Sequence, residues 1–261
     1  MPELPDLEVF RGNIFSQLSS KHLVKAQVYN SRKVIFSSEV STSDFSDADL
    51  LSIERIGKEL LFCFSNQKAL SVHLMLNGEI TISKREDTES IRFKIFALHF
   101  ENESLVFSDR GGLCTVKYTP TFDDVPDALS AEMTLDYFKS KIQKKPRANI
   151  KAVLIDQKII KGIGNAYADE ILWHAKISPK SLAGKIPDEK IVALYDSISV
   201  VLKNAIQTIK ELTPNRISGE ERSFLSVHNK EIEETATGHR IQIEQIASKT
   251  TYFTDEQIEY R

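Results

Sequence analysis

Residues 150–179, IKAVLIDQKIIKGIGNAYADEILWHAKISP, hold the pattern around which the rest of the chain is organised. Ile150, Val153 and Leu154 recur at helical spacing, as do Ala168, Ile171, Leu172 and Ala175 further on. Between the two helical patterns lies a glycine-bracketed turn, Gly162-Ile163-Gly164, leading into Asn165. Asn165 stands where a helix N-cap is expected, with Asp169 and Glu170 early in the helix it would start. Glycines ahead of a helix start let the backbone approach another molecule closely, and the unpaired N–H groups there attract anions. Taken alone, the pattern fits either a plain helical hairpin with a glycine turn or a turn that grips an anion.

The surrounding charge favours the second reading. Between Lys139 and Lys190 there are twelve Lys or Arg against five Asp or Glu, although the whole chain carries a formal charge of −3. A basic surface confined to one region of an acidic protein is the footprint of a polyanion partner. The stretch LIDQKIIKGIGNAYADEILWHAKISP closely resembles the helix–two-turn–helix of the formamidopyrimidine-DNA glycosylase / endonuclease VIII family. In that family this turn grips DNA phosphates. The resemblance implies DNA contacts for Lys151, Gly164 and Asn165.

Length and composition set the frame. A chain of 261 residues with 41% hydrophobic content buries a full core and accommodates one large or two modest domains. A pI near 6.1 argues against a uniformly basic DNA coat. The only cysteines, Cys63 and Cys114, lie in apolar strand-like contexts and read as reduced thiols, with a disulfide between them disfavoured in a reducing compartment. No 18-residue apolar run occurs, and Glu3 and Asp6 replace the basic-then-apolar start of a leader, so a cytoplasmic, nucleoid-associated protein is expected.

In the N-terminal stretch to about Leu18, MPELPDLEVFRGNIFSQL, Pro5 followed by Asp6 and Glu8 suits a helix N-terminus, and Val9, Ile14 and Leu18 give the helix an apolar side. From His22 to Tyr118 the helical period disappears. Short β-branched or aromatic runs at 60–64, 70–74, 79–83, 92–100, 104–107 and 115–118, separated by turns such as Asn77-Gly78, predict an antiparallel sandwich or barrel. The Pro- and Asp-rich residues 119–131 form the linker. Helices are predicted at 134–142, 150–157, 165–176 and 188–209, the last with a regular apolar stripe of Ile191, Tyr195, Ile198, Leu202, Ala205 and Ile209. Beyond Thr213 the pattern is short and strand-like, at 223–227, 240–246 and 250–253. The expected fold is thus α+β: an N-terminal helix and β-sandwich at 1–122, a helix–two-turn–helix domain at 123–218, and a C-terminal β-hairpin finger at 219–261.

In the family the finger holds zinc with four cysteines. Here SFLSVHNK, Gly238, Ile241 and KTTYFTDEQ are similar to the family's frame, while Glu234, Thr237, Thr254 and Gln257 occupy the cysteine positions. Such residues cannot assemble a thiolate set, so a zincless finger is expected, with no metal and no cofactor. Lys249 stands where the family has a phosphate-gripping arginine.

The resemblance also assigns chemistry. Pro2, freed by removal of Met1, would be the nucleophile, and Glu3 the general acid. Lys58, in RIGKELLF, matches a strand-borne lysine near the lesion's phosphate, and His73, in HLMLNG, matches a histidine near the DNA backbone. Read without the family, Lys58 is a surface lysine and His73 a hydrogen-bonded sandwich histidine. Leu76 falls at the first position that fills the emptied base stack. The second loop, Ser108-Asp109-Arg110-Gly111-Gly112-Leu113, departs from the family's Asp-Pro-Arg-Arg-Phe-Gly, leaving Arg110 as the available cation. The segment between the long helix and Ser223 is short and lacks a glycine-rich base-capping loop. The resemblance therefore implies a monomeric DNA glycosylase with AP lyase activity on damaged double-stranded DNA, the alternative being a non-catalytic DNA-binding protein of the same fold. Retention of the Pro2-Glu3 pair favours the enzyme.

Overall fold

A computed structural model of the chain describes residues 1–19, 21–35 and 45–261. Helix α1 (Leu4–Leu18) buries Leu4, Leu7, Phe10, Ile14 and Leu18 on one face, three or four residues apart, and packs that face on strand β3 (Ala48–Ile56). Its N-cap is Glu3, and Pro5 lies within its first turn, where a missing N–H costs nothing. Glu8 ties helix to sheet through Arg55 Nε at 3.0 Å, and it also bonds Arg11 one turn along the same helix. Burial alone would raise the Glu8 carboxyl, but the two guanidiniums outweigh it and hold it below its ordinary value.

The remaining strands are β1 (His22–Val28), β2 (Val34–Ile35), β4 (Glu59–Phe64), β5 (Ala69–His73), β6 (Glu79–Lys84), β7 (Lys94–Phe100), β8 (Glu103–Ser108) and β9 (Thr115–Tyr118). They hydrogen-bond in the order β2-β9-β5-β4-β3-β1-β7-β8-β6, and only two residue pairs join β1 to β3. At that short seam the sheet folds on itself. Phe62 of β4 meets Phe107 of β8 edge-on with ring centroids 5.8 Å apart, and Phe96 of β7 meets Tyr118 of β9 at the same distance. These strands are not neighbours in the sheet, so the contacts define two layers with the core between them. In β4 the alternation is strict, Leu60, Phe62 and Phe64 facing the core.

The helical part contains α2 (Leu135–Lys144), α3 (Ile150–Ile155), α4 (Asn165–His174) and α5 (Asp188–Leu212), followed by the hairpin β10 (Gln242–Ile246) and β11 (Lys249–Phe253). The two residues between these strands, Ala247 and Ser248, both take left-handed backbones (φ 53° and 59°), as a type I′ hairpin turn requires. The described residues divide into two compact units: Met1–Asp123 with Ile209–Glu220, and Asp124–Thr208 with Glu221–Arg261. The last turn of α5 and the short segment after it therefore belong with the sandwich, and the finger hairpin belongs with the helices.

Candidate active site and nucleic-acid interface

In the first unit a cleft of about 480 Å³ is lined by Pro2, by residues of the turn and strand from Leu76 to Thr81, and by Ser218, Gly219 and Glu220. Pro2 and Glu3 are both buried, Glu3 only 4% exposed, and the Glu3 N–H donates to Asp6 Oδ2 at 2.9 Å. The Met1 amino group is ion-paired with Glu220. The turn before β6 is tight: Gly78 N–H donates to the Leu74 carbonyl at 2.9 Å, and a Cβ on Gly78 would lie 2.3 Å from that oxygen. Only glycine fits, and the turn holds Leu76 out in solvent at 58% exposure.

Composition gave no hint of what the segment after α5 does. Asn13 Nδ2 donates to the Arg216 carbonyl (2.8 Å), Ile80 N–H donates to Ser218 Oγ (3.0 Å), and Ile217 packs against the sandwich core. These bonds bring Ser218 and Glu220 to the rim of the Pro2 cleft.

Lys58 is not strand-borne. It occupies the second position of the two-residue β3–β4 turn, after Gly57 at φ 61°, with Ile56 and Glu59 closing the ladder. Gly at the first position with a positive φ suits a type II′ hairpin, which takes Lys58 out of both strands. Lys58 is only 9% exposed. His73 pairs with Glu59 across β4 and β5, and its Nδ1 accepts the Met75 N–H at 3.0 Å. Burial pushes the ring below its ordinary pKa; Glu59 opposes this, and Lys58 and Lys117 add to it. With Nδ1 accepting, the neutral ring carries its proton on Nε2, which makes His73 a hydrogen-bond donor without charge.

In the second unit, Gln157 holds the glycine turn. Its Nε2 donates to the carbonyls of Ile155 (2.9 Å) and Ile163 (2.7 Å), while its Oε1 accepts the Gly162 N–H (3.0 Å). Gly162 has φ 100°, a backbone closed to other residues without strain. The N-cap of α4 is Gly164 in an extended conformation, and Asn165 is the first helical residue. The expected Asn165 cap is absent because its amide turns sideways, Nδ2 donating to the Thr250 carbonyl of β11 at 2.8 Å. One amide hydrogen is left for an incoming acceptor.

Lys151 does not lie on the surface. It is completely buried, its Nζ 2.7 Å from Asp169 Oδ1 and 2.7 Å from Thr251 Oγ1. A lysine enclosed by a carboxylate and a hydroxyl has no face left for a phosphate, so the expected direct contact is replaced by a structural one. Asp169 Oδ2 also accepts from Tyr252 N–H (3.0 Å) and bonds His228 Nδ1 (2.7 Å). Next to it, the Glu170 carboxylate takes three consecutive backbone N–H groups, Ser226, Val227 and His228, at 2.8–2.9 Å. This helps explain why residues 223–227 form no strand: Ser226 and Val227 donate to a helix side chain, and Ser223 and Leu225 donate to Glu221 and Arg222, instead of to a ladder. Burial raises the Glu170 carboxyl despite those three bonds. Asp169 and Glu170, expected as ordinary first-turn acids, thus fasten α4 to the finger segment.

Two family models match this arrangement, the formamidopyrimidine-DNA glycosylase N-terminal domain over residues 1–115 and the formamidopyrimidine-DNA glycosylase H2TH domain over 125–215. The formamidopyrimidine-DNA glycosylase of Carboxydothermus hydrogenoformans is 32% identical over 218 residues, covering 79% of this chain and 78% of the relative. The chain belongs to the formamidopyrimidine-DNA glycosylase / endonuclease VIII family. The enzyme of that name from Lactococcus lactis is 28% identical over 97% of both chains. A solved structure of the Lactococcus protein in complex with DNA containing an oxidised pyrimidine superposes with a TM-score of 0.86 at 25% identity, over 99% of this chain and 100% of that one. A second, with DNA containing an abasic site, shares the fold at a TM-score of 0.85 and 24% identity.

Two regions depart from the family frame. In loop 108–113, Asp109 organises the backbone, its carboxylate accepting the N–H groups of Gly111 (2.7 Å), Leu113 (2.6 Å) and Cys114 (2.7 Å). Burial would raise Asp109, but these bonds hold it below the ordinary carboxylate range. Leu113 is 39% exposed, Arg110 is exposed, and Cys114 is buried, its thiol pushed up to about 12. In the finger, the four positions expected for cysteine carry other bonds. Thr254 N–H donates to Gln257 Oε1 (2.9 Å), Gln257 Nε2 donates to the Ile177 carbonyl (2.8 Å), Thr237 Oγ1 bonds Thr235 Oγ1 (2.8 Å), and the Glu234 backbone pairs with that of Arg240 in an isolated antiparallel β-bridge. Among the described residues no three His, Cys, Asp or Glu are grouped to hold a metal ion. Lys249 opens β11 with its side chain exposed. No helix of the described chain is long and apolar enough to cross a membrane.

Proposed function

We propose that the protein is a base-excision repair glycosylase with AP lyase activity, removing an oxidised or otherwise damaged base from double-stranded DNA and nicking the abasic strand. The observation that carries this reading is the single cleft in which Pro2 and the exposed Leu76 turn lie together, beside a buried Glu3. Family membership supports the glycosylase class. The Lactococcus complex with oxidised-pyrimidine DNA supports damaged DNA as the partner.

Removal of Met1 turns the Pro2 nitrogen into a secondary amine, and a reference α-amino pKa of about 8 leaves a useful neutral fraction at pH 7. Its lone pair attacks C1′ of the extruded nucleotide while the bond from C1′ to the base breaks. Glu3, as general acid, supplies the proton that lets the base leave. The attached nitrogen then loses its proton, the C1′–O4′ bond opens with O4′ taking a proton, and the iminium so formed acidifies C2′; loss of the C2′ proton expels the 3′ phosphate and cuts the strand. Lys58 and the neutral His73 hold phosphates near the lesion. Leu76 and Arg110 occupy the emptied stack. Gly164, Asn165 and Lys249 grip the backbone, while Lys151 supports that grip from beneath. In this division residues 1–122 do the chemistry, and 123–218 together with 219–261 bind DNA, as a monomer in the cytoplasm without cofactor or metal.

Incubation of the processed protein with abasic-site DNA and borohydride should leave a protein–DNA adduct on Pro2. A form that retains Met1 should give none, because its Pro2 nitrogen is a tertiary amide without an available lone pair. Glu3→Gln should impair release of intact damaged bases more than cleavage at preformed abasic sites. Trapping with Met1 in place, or on Lys58, would sink the proline mechanism. Tight binding to abasic DNA with no adduct under any condition would favour the non-catalytic binder.

A further inference from the structure

Strand β11 and the residues after it are fastened to α4 at successive points along the helix. At its start, Asn165 Nδ2 donates to the Thr250 carbonyl, and one turn on, Asp169 Oδ2 accepts the Tyr252 N–H. At its end, the Glu256 carboxylate takes the Trp173 indole N–H at 2.9 Å and the Lys176 ammonium at 2.7 Å. Asn165, Asp169 and Trp173 are four residues apart and share a helix face, so the ties form a row about 12 Å long. Glu256 stands between Thr254 and Gln257, two of the positions expected for cysteine. The Thr254 hydroxyl donates to Glu256 Oε2 at 3.2 Å, and Thr237, a third such position, bonds the same carboxylate. Lost hydration would raise this carboxyl, but the bonds from Lys176, Trp173 and Thr237 hold it down to about 2. Two arms of the finger and the end of α4 thus converge on one anion, as thiolates would converge on a cation.

Lys176 is an unusual residue for its place. It follows the C-cap of α4, its N–H on the Trp173 carbonyl and the Ile177 N–H on the Leu172 carbonyl, both at 3.0 Å. Its backbone is left-handed, at φ 55°, in a helix stop that glycine fills without strain. A lysine there adds backbone strain. Its ammonium offsets that strain by pairing with Glu256 and lying 4.4 Å from the Trp173 ring centroid. We propose that Glu256, clamped by Lys176 and Trp173, is a positioning residue for DNA binding. It holds β11 along α4, so that Lys249, next to Thr250, stays beside Asn165 at the phosphate grip. In this finger a carboxylate does the work expected of a metal. The inference rests on the DNA-binding reading above.

The test follows binding to a duplex carrying a stable abasic analogue, by fluorescence anisotropy across a salt series. Glu256→Ala should weaken binding by roughly ten- to a hundredfold, as expected for loss of a charge-assisted phosphate contact. The slope of log K against log salt should fall by about 0.9, the share of one phosphate, as it should in Lys249→Ala. In the Lys249→Ala background, Glu256→Ala should add less than about twofold, because it acts through that lysine. Lys176→Gly relieves the left-handed backbone yet should weaken binding like Glu256→Ala, whereas at a plain helix stop it would add stability and leave affinity alone. Backbone bonds between Ile258 and Lys176 and between Ser178 and Ile258 remain in both variants and keep the segment attached. Unchanged affinity, an unchanged salt slope, or full additivity with Lys249→Ala would overturn the proposal. Unfolding of the helical unit in Glu256→Ala and Lys176→Gly alike would make the clamp a matter of stability alone and overturn it too. A salt slope left intact by Lys249→Ala itself would instead overturn the placement of DNA at Lys249, and this inference with it.

Discussion

Replacing Lys151 with methionine separates a structural lysine from a DNA-contacting one. Methionine keeps the unbranched apolar stem and removes only the ammonium, so the Asp169 carboxylate, itself fully buried, loses a partner 2.7 Å away. Removing one member of a buried ion pair costs about 3–5 kcal/mol, because the remaining charge is stranded in a medium that solvates it poorly. Asp169 retains the Tyr252 N–H at 3.0 Å and His228 Nδ1 at 2.7 Å, which puts the expected loss near the lower bound, about 3 kcal/mol. For a chain of this size each kcal/mol shifts the melting temperature by roughly 2–4 °C, so a fall of about 6–12 °C is expected. The single tryptophan, Trp173, lies on α4 and donates to Glu256 at 2.9 Å, so its fluorescence reports melting of the helical unit. Asp169→Asn added to Lys151→Met should restore part of the loss by removing the stranded charge. The slope of log K against log salt for DNA binding should stay unchanged, since no phosphate contact is removed. A variant that melts like the parent while its salt slope falls by about 0.9 would refute the structural assignment and return Lys151 to the DNA interface.

Three further outcomes are expected. His99 is buried, with Nδ1 bonded to Ser104 Oγ at 2.8 Å and Nε2 to Gln27 Oε1 at 3.1 Å; burial, helped by Lys25 and Arg85, lowers it to about 4. The unfolded chain takes up this proton near pH 6.5 and the folded chain does not. Stability is therefore fully present above pH 6.5 and declines toward pH 4, by up to about 3 kcal/mol. His99→Gln should flatten that decline in urea melts, and an unchanged slope would count against it. Ala247→Asn with Ser248→Gly should raise the melting temperature, because both positions have left-handed backbones that Asn and Gly adopt more readily; a lower melting temperature would show that the turn is held by other forces. Prolonged dialysis against a chelator should leave DNA affinity and the melting curve unaltered, whereas a metal-folded finger would lose both.

Much of the fold was legible locally because its signals sit between near neighbours in the chain. Pro5 and the acids after it announced α1, an apolar stripe at spacings of three and four residues announced α5, a short aromatic run announced β4, and the Gly162–Gly164 turn located the helix–two-turn–helix. Three strands were left unnoticed: β2 is only two residues long, and β1 and β3 carry mixed burial that blurs the alternation. The start at Pro2 and Glu3 and the finger without cysteines could likewise be read directly, since residue identity alone decides whether an amine, an acid or a thiolate is available.

What only the tertiary structure decided are the partners of charged and polar groups. Lys151 counted toward a basic surface until Thr251, 100 residues away, and Asp169 enclosed it. Residues 223–227 looked like a strand until Glu170, 56 and 57 residues before Ser226 and Val227, took the N–H groups of those two. Asn165 looked like a helix cap until the Thr250 carbonyl claimed its amide. Phe93 looked like part of a buried strand until the backbone ahead of β7 turned left-handed and set its ring in solvent. Periodicity reports which side of an element is apolar. Which acceptor lies within 3 Å of a buried donor depends on how distant segments pack, and in a low-dielectric interior that proximity sets each group's role.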